Sequence, residues 1–244
     1  MYPSESSRRD LPIASLRRQT TPVLLRLPFT HRWAVQNSPA RRVPSHGTDL
    51  MGLRYSIDFV GVEDRHRTAS RRDWRTLLAT EPSERFFAYG RPILAPGDGI
   101  VVDVHDGELD HEARRSQLAL VSYALGQASR LRRGVAAVAG NYVTIAHHDS
   151  GTFVTLVHLR EGSIQVGVGD VVAAGQQIAE CGNSGNTTQP HVHVQVTDTP
   201  DFSAARGLPM AFRHYREWPR GMTHFHDWEY GVPGESAVVE PLPD

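Results

Sequence analysis

Hydrophobic and polar residues alternate along several short segments of the chain, and the clearest example is "HVHVQV" at 191–196. Successive side chains of a β-strand point to opposite faces, so the three valines share one face, which we expect to pack against a core. The opposite face carries His191, His193 and Gln195. The alternation therefore predicts a strand with one apolar face and one face that is either solvated or part of a site.

Similar runs occur on both sides of this segment, and glycine, proline and aspartate turns separate them. They include "RYSIDFVGV", "PILAPGDGIVVDV" and "SIQVGVGDVVAAGQQIAE". A further stretch, "NYVTIAHHDSGTFVTLVHL", has the pattern of a hairpin with its turn at 149–151. These patterns predict a mainly antiparallel β domain.

Two other stretches have helical spacing instead of alternation. They are "SRRDWRTLLAT" at 70–80 and "HEARRSQLALVSYALGQASRLRRG" at 111–134. The second stretch lies between two predicted strands, so we expect a helical insertion in the β domain at about 111–134. The distribution of polar and apolar residues along the chain predicts a flexible tail at 1–21, the main domain at 22–215 and a C-terminal extension at 216–244.

The composition excludes several classes of function. A formal net charge of -1, from 26 basic and 27 acidic residues, favours no nucleic-acid partner. The chain has no lysine, so "VGDVVAAGQQIAE" does not belong to a lipoyl or biotin carrier, which needs a lysine to modify. The single cysteine, Cys181, excludes an intrachain disulfide and an all-cysteine metal site.

Hydropathy predicts no transmembrane segment, since no run approaches the roughly 18 apolar residues that a membrane helix needs. The first residues contain arginines but no apolar run long enough for the core of a signal peptide. We therefore expect no classical export signal. Neither the localisation nor the oligomeric state follows from the sequence.

The chain has 13 histidines, and two of them offer a metal site on the predicted strand 191–196. Imidazole is a common zinc ligand, and residues two apart on a strand converge on one spot. Asp58 lies in the middle of "RYSIDFV", where burial disfavours a carboxylate unless a cation or hydrogen bonds compensate. The alternatives are a polar sheet surface for the histidines and a solvated edge strand for Asp58.

Two more histidines become candidates only if the fold brings them to the same place. His46 lies in the loop "VPSHGTDL", where a lone histidine is normally exposed to solvent. His158 ends the apolar run "TLVHL", where a histidine is normally structural. Both would gain a function beside the strand of His191 and His193.

The motifs "SIDFV", "APGDGIV", "GNYVTIAHHDSGTFVTLVHL" and "VGVGDVVAAGQQIAECGNSGNTTQPHVHVQV" occur in an order that resembles a known family. This is the lysostaphin-type (LytM-like) family of zinc metalloendopeptidases, which hydrolyse peptidoglycan, and the resemblance extends over about 29–215. It implies an antiparallel β-sheet or sandwich with a helical insertion. It also implies a zinc cofactor and a peptidoglycan-peptide substrate, cut in its stems or cross-bridges.

The resemblance also implies the roles of five residues. His46, Asp58 and His193 would bind zinc, which leaves one coordination position for an activated water. His158 and His191 would be the catalytic pair. Gln195 shares their strand face as a possible supporting or substrate contact, and the loop 182–188 would form one wall of the groove.

One feature departs from the family pattern. Many members have the spacing H-x-x-x-D, whereas His46 lies twelve positions before Asp58. Either the intervening loop folds back, or a different group takes the role of the first ligand. The candidates are His31, Asp49 and His66. This spacing keeps open an alternative function, a non-catalytic binding or regulatory module on the same fold.

Overall fold

The computed structural model describes residues 21–63, 66–71, 76, 79–114 and 135–243. Most of the predicted tail, and most of both predicted helical stretches, lie outside the described residues. Within the described residues, two 3-10 helices occur at Leu50–Tyr55 and Ser83–Arg85, and one short α-helix, α1, at Val135–Ala139. The strands in chain order are β1 (Val23–Arg26), β2 (Trp33–Gln36), β3 (Ile57–Gly61), β4 (Pro92–Leu94), β5 (Gly99–His105), β6 (Asn141–His147), β7 (Phe153–Leu159), β8 (Val171–Val172), β9 (Gln177–Glu180), β10 (Val192–Thr197), β11 (Met210–Trp218), β12 (His226–Gly231) and β13 (Val238–Pro241).

One 11-stranded sheet organises the described part of the chain. Its strand order is β1-β11-β13-β2-β3-β10-β7-β6-β5-β8, and β12 pairs with β11 outside this path. The pair β1–β11 is parallel, while the other pairs of the sheet are antiparallel. Strands β4 and β9 form a second, two-stranded sheet. The predicted mainly antiparallel β fold is confirmed.

The predicted hairpin is present as β6 and β7. Ala146 pairs with Phe153 at the closed end, and the turn contains the predicted residues 149–151. The amide of His147 donates to the carbonyl of Thr152 over 2.8 Å, which closes the loop. This hairpin places β7 directly beside β10 in the sheet.

The valine face of β10 packs into the core, as the alternation predicts. Val192, Val194 and Val196 are at most 1% exposed. The same core contains an aromatic series in which Phe59 contacts Phe29 and Phe212, with ring centroids 5.0 and 5.4 Å apart. Full burial of one such side chain contributes about 1.5–3 kcal/mol. This core holds β10 and β3 in a fixed register.

The segment 216–243 contributes strands to the main sheet. Strand β11 extends across position 215, and β13 pairs with both β2 and β11. The division of the chain into a main domain at 22–215 and a C-terminal extension at 216–244 stays a prediction.

Two composition-based expectations can be compared with the structure. Cys181 is fully buried as a free cysteine, and burial raises the pKa of its thiol, which suits a small apolar side chain better than a nucleophile. Among the described residues, no helix has the length and apolar character needed to cross a membrane.

Candidate functional site

Paired strands bring Asp58 and His193 together. Asp58 on β3 lies directly opposite His193 on β10, and their Oδ1 and Nδ1 atoms are 2.8 Å apart. Both residues are 5% exposed. Strand β3 lies between β2 and β10, so Asp58 is not on a solvated edge strand.

The loop before β3 folds back and delivers His46 to the same carboxylate. Its Nε2 atom lies 3.2 Å from Oδ2 of Asp58. The fold of this loop depends on Gly52, which has φ +79° and whose ideal Cβ would lie 2.4 Å from Cγ2 of Thr197. One ligand atom each from His46, Asp58 and His193 lie within 4.8 Å of one another.

The three alternatives to His46 lie elsewhere. His31 and His66 are exposed. Asp49 is also exposed, and it accepts a hydrogen bond from Arg54 over 2.7 Å. The twelve-residue spacing is therefore spanned by the loop, and His46 is the group that meets Asp58.

A serine holds His46 with its Nε2 atom free to bind a cation. The hydroxyl of Ser56 donates to the carbonyl of Leu53 over 2.9 Å, so its oxygen accepts from Nδ1 of His46 over 2.8 Å. With the proton on Nδ1, a neutral imidazole presents the lone pair of Nε2. That lone pair faces Asp58.

Gln195 orients His193 in the same way. Its side-chain nitrogen donates to the carbonyl of Met51 over 3.1 Å, and its Oε1 accepts from Nε2 of His193 over 3.2 Å. Nδ1 of His193 then carries the lone pair that faces Asp58. Partners of this kind fix the tautomer and orientation of metal-binding histidines.

Two polar contacts of the cluster were missed by the sequence analysis. Asn37 donates from Nδ2 to Oδ2 of Asp58 over 2.7 Å, and Ser56 holds His46. Ser56 lies two positions before Asp58 in the predicted strand, and that shared face was an available signal. Asn37 lies in a turn after β2 with φ +51°, and no local pattern points to it.

The electrostatics of the cluster favour an ionised Asp58 and a neutral His193. Burial by itself raises the pKa of Asp58, but the imidazoles of His191, His46 and His193 around the carboxylate bring it well below its usual value. Burial lowers the pKa of His193 despite the neighbouring carboxylate. One carboxylate and two imidazoles are the O,N,N donor set that zinc accepts in catalytic sites, so these residues fit the ion.

A β-bulge turns His158 toward this cluster. Asn141 pairs with Leu159 and Tyr142 pairs with Val157, which leaves His158 as the extra residue of β7. Its φ of +65° interrupts the strand alternation that would otherwise direct the side chain into the core. Its ring centroid lies 6.1 Å from that of His193.

The carbonyl of Ser184 sets the tautomer of His158. It accepts from Nδ1 over 2.9 Å, so Nε2 of a neutral ring is left as an acceptor. Burial lowers the pKa of His158 well below its usual value, and the nearby His191 and His193 lower it further. His158 is therefore a neutral imidazole able to accept a proton.

His191 faces His158 across the site, with ring centroids 4.7 Å apart. Its Nδ1 atom lies 2.8 Å from the carbonyl of Gln189, which makes Nδ1 the donor of the ring. Nε2 lies 3.7 Å from Oδ1 of Asp58. The two rings thus come from β7 and from the position just before β10.

A cavity of about 290 Å³ contains all five residues singled out from the sequence. Part of the loop 182–188 forms one wall, as expected, and α1 contributes to another. The lining residues are Asn37, His46, Met51, Leu53, Asp58, Val138, Ala139, Val157, His158, Asn186, Thr187, Thr188, His191, His193, Gln195 and Phe202.

Comparison with known proteins gives a match to the model of peptidase family M23 over residues 84–202. The match includes His158, His191 and His193, while His46 and Asp58 precede it. Zinc, the cofactor implied by the motifs, is supported by this match together with the donor set of the cavity.

Solved structures of M23 proteins are among those similar to this chain. The catalytic domain of the prophage-encoded protein EnpA from Enterococcus faecalis is 19% identical, with 63% of this chain and 73% of that chain covered and a TM-score of 0.36. The catalytic domain of lysostaphin, an antimicrobial peptidase from Staphylococcus simulans, is 17% identical, with 73% and 88% covered and a TM-score of 0.37. A glycyl-glycine endopeptidase, lytM, described as putative in Ruminococcus gnavus, is 14% identical, with 63% and 42% covered and a TM-score of 0.34.

The family match and the ordered motifs lead to one classification. Residues 84–202 follow the family model, and the segments "SIDFV" and "HVHVQV" supply the aspartate and two of the four histidines of the cavity. Residues 84–202 belong to peptidase family M23, and the ordered motifs place them with the lysostaphin-type metalloendopeptidases.

Proposed function

We propose that the protein is a zinc endopeptidase that hydrolyses peptide bonds in the stems or cross-bridges of peptidoglycan. The observation that carries the proposal is the convergence of five side chains on one cavity: three as an O,N,N donor set, and two as oriented imidazoles. The substrate follows from the resemblance of the motifs to peptidoglycan hydrolases.

In this proposal His46, Asp58 and His193 hold the zinc ion. Bound there, zinc would supply Lewis acidity to a scissile carbonyl and to an attacking water. Gln195 and Ser56 keep the two histidine ligands in the required tautomers. Asn37 adds a hydrogen bond that holds the carboxylate of Asp58 in place.

His158 acts as the proton acceptor. Its Nδ1 proton is engaged by Ser184, and its Nε2 atom can take a proton from the attacking water and return it to the leaving amine. The low pKa of the buried ring keeps it in the acceptor form at neutral pH. A neutral acceptor is what the first proton transfer requires.

His191 stabilises negative charge that develops on the substrate. Its Nδ1–H is engaged by Gln189, so a second proton on Nε2 would be directed into the cavity, near the carboxylate of Asp58. A donor at this position can bind the oxyanion of the tetrahedral intermediate, and such donors contribute about 2.7–4 kcal/mol.

The proposal is tested by incubating purified protein with cell-wall sacculi, with and without a chelator. We expect about one zinc ion per chain and release of peptide material that the chelator abolishes. The variants Asp58→Ala and His193→Ala should lose both zinc and activity. His158→Ala should keep zinc and lose most turnover, because it removes the proton acceptor alone.

His148→Ala is the matched control, because His148 is exposed on the same hairpin and outside the cavity. It should leave zinc content and turnover unchanged. Full activity in His158→Ala would contradict the assigned role of that residue. A protein that binds zinc but releases nothing from sacculi or from peptidoglycan peptides would instead be a binding or regulatory module.

A further inference from the structure

Residues directly opposite one another on neighbouring strands form a row across the sheet. The row that contains Asp58 and His193 becomes apolar on the next two strands. Cα partners run from Asp58 on β3 to His193 on β10, then to Val157 on β7 and Tyr142 on β6. Residues directly opposite each other point to the same face of a sheet, so Val157 stands beside His193. The row is therefore polar at one end and apolar at the other.

A small apolar cluster covers the apolar end of this row, separate from the main core. It contains Ala139, Tyr142, Val157 and Phe202, and Met51 packs against it. Phe202 meets Tyr142 edge-on, with ring centroids 5.1 Å apart. The cluster lies on the sheet face opposite the buried valines of β10, which is the face of the cavity.

The cavity extends along the row from Asp58 to Val157. Its lining includes the five residues of the proposed catalytic site and, on the other side, an apolar wall. We define this wall by Met51, Val138, Ala139, Val157 and Phe202. A peptide bond seated at the zinc ligands would place the side chain of an adjoining substrate residue against it.

We infer that the apolar wall is a subsite for a small alkyl side chain on the residue next to the scissile bond. This inference rests on the proposed function, and it narrows the substrate to peptides with alanine or a similar residue at that position, in contrast to all-glycine peptides. Glycine would leave the wall uncovered, whereas an alkyl group would remove apolar surface from water.

The charged groups around the cavity also favour an uncharged substrate side chain at the wall. Among the described residues that line the cavity, there is no arginine, and the carboxylate is that of Asp58. That carboxylate accepts a hydrogen bond from Asn37 and belongs to the proposed zinc site. A charged substrate side chain against the wall would lose hydration, and the described wall residues offer it no ionic partner.

The inference is tested by calorimetry on the zinc-loaded full chain with three hydroxamates, those of N-acetylglycine, N-acetylalanine and N-acetylaspartate. The hydroxamate group chelates the metal, so the three probes differ only in the side chain that is offered to the wall. We expect the alanine probe to bind at least about tenfold more tightly than the glycine probe, since a single methyl group in an apolar pocket discriminates by about 10- to 200-fold. The aspartate probe should bind more weakly than the alanine probe.

Ala139→Leu should remove the preference for alanine, because the larger side chain would occupy the space beside the wall without changing a zinc ligand. Ala173→Leu, at an exposed position outside the cavity, is the matched control and should keep the preference. If Ala139→Leu does not fold, Phe202→Ala serves instead and should reduce the preference by removing a wall residue.

Equal affinity for the alanine and glycine probes would overturn the subsite and leave the zinc site standing. A preference that survives Ala139→Leu or Phe202→Ala would also overturn it. Failure of all three probes to bind the zinc-supplied protein would overturn the proposed function, and the subsite with it.

Discussion

Ser184 tethers the β-bulge that presents His158, and its replacement by alanine is the most informative perturbation of this site. Its hydroxyl accepts from the amide of Asn141 over 3.0 Å and donates to the carbonyl of Leu159 over 2.8 Å. Its own carbonyl accepts from Nδ1 of His158. One residue thus bridges the two strands at the bulge and orients the proposed proton acceptor.

The cost of Ser184→Ala to stability follows from these bonds. The carbonyl of Leu159 keeps a second donor, Nδ2 of Asn141 at 3.1 Å, so the amide of Asn141 is the group that loses its partner. Ser184 is fully buried, and one unsatisfied buried donor costs about 1–3 kcal/mol. We expect the free energy of unfolding to fall by this amount in urea titrations.

The effect of Ser184→Ala on turnover is the specific test. Without the tether, the bulge and the ring of His158 can shift, and a displacement near 1 Å can cost about 100-fold in rate. We expect kcat to fall by about 10- to 100-fold, with KM and zinc content unchanged. In ¹⁵N NMR of histidine-labelled protein, His158 should carry its proton on Nδ1 in the parent. The variant keeps the backbone carbonyl of residue 184, but a displaced bulge would weaken its bond to Nδ1, so the population of this tautomer should fall.

Thr144→Val is the control for a general loss of stability. Thr144 is also fully buried on β6 and exchanges a 3.0 Å hydrogen bond with Thr155, away from the bulge. It should lower stability without changing kcat or the tautomer of His158. Suppose that Ser184→Ala loses stability but keeps kcat within about twofold of the parent and leaves the tautomer of His158 unaltered. Ser184 would then not position His158 for catalysis.

Three further predictions concern metal, packing and pH. Zinc at about 100 times its Kd should stabilise the parent by about 2.7 kcal/mol, measured as a rise in Tm, and should not stabilise His193→Ala. Gly61→Ala should cost about 1–3 kcal/mol in urea titrations, because its Cβ would lie 2.7 Å from Cα of Ala88; an unchanged midpoint would contradict this packing. Burial raises the pKa of Glu217 above its ordinary value of 4.5, so the folded state binds more protons and stability falls as pH rises from about 4.5 through the folded pKa. Glu217→Gln should therefore raise Tm at pH 7 and have little effect below pH 4, and a Tm difference independent of pH would refute the assignment.

The strand pattern could be predicted from the sequence because alternation with period two is a local property. The valines of "HVHVQV" identified the core face of β10, and the turn at 149–151 identified the hairpin of β6 and β7. The same alternation put His193 and Gln195 on one face, where they share a hydrogen bond. The order of the motifs was enough for the family resemblance, and so for the five candidate residues.

The rest of the site depends on contacts between residues distant in sequence. No local rule chooses His46 over His31, Asp49 or His66; the choice follows from the loop that packs Gly52 against Thr197.

The orientation of His158 also required the tertiary structure, because strict alternation would direct its side chain into the core. A one-residue bulge reverses that direction, and the bulge is held by Ser184 from a loop 26 positions away. The sequence alone determined the alternation of the strands, and it predicted candidate residues for metal binding and proton transfer. Only the folded sheet decided which of them meet and which ring nitrogens are free, because those properties come from hydrogen bonds and packing between separate strands and loops.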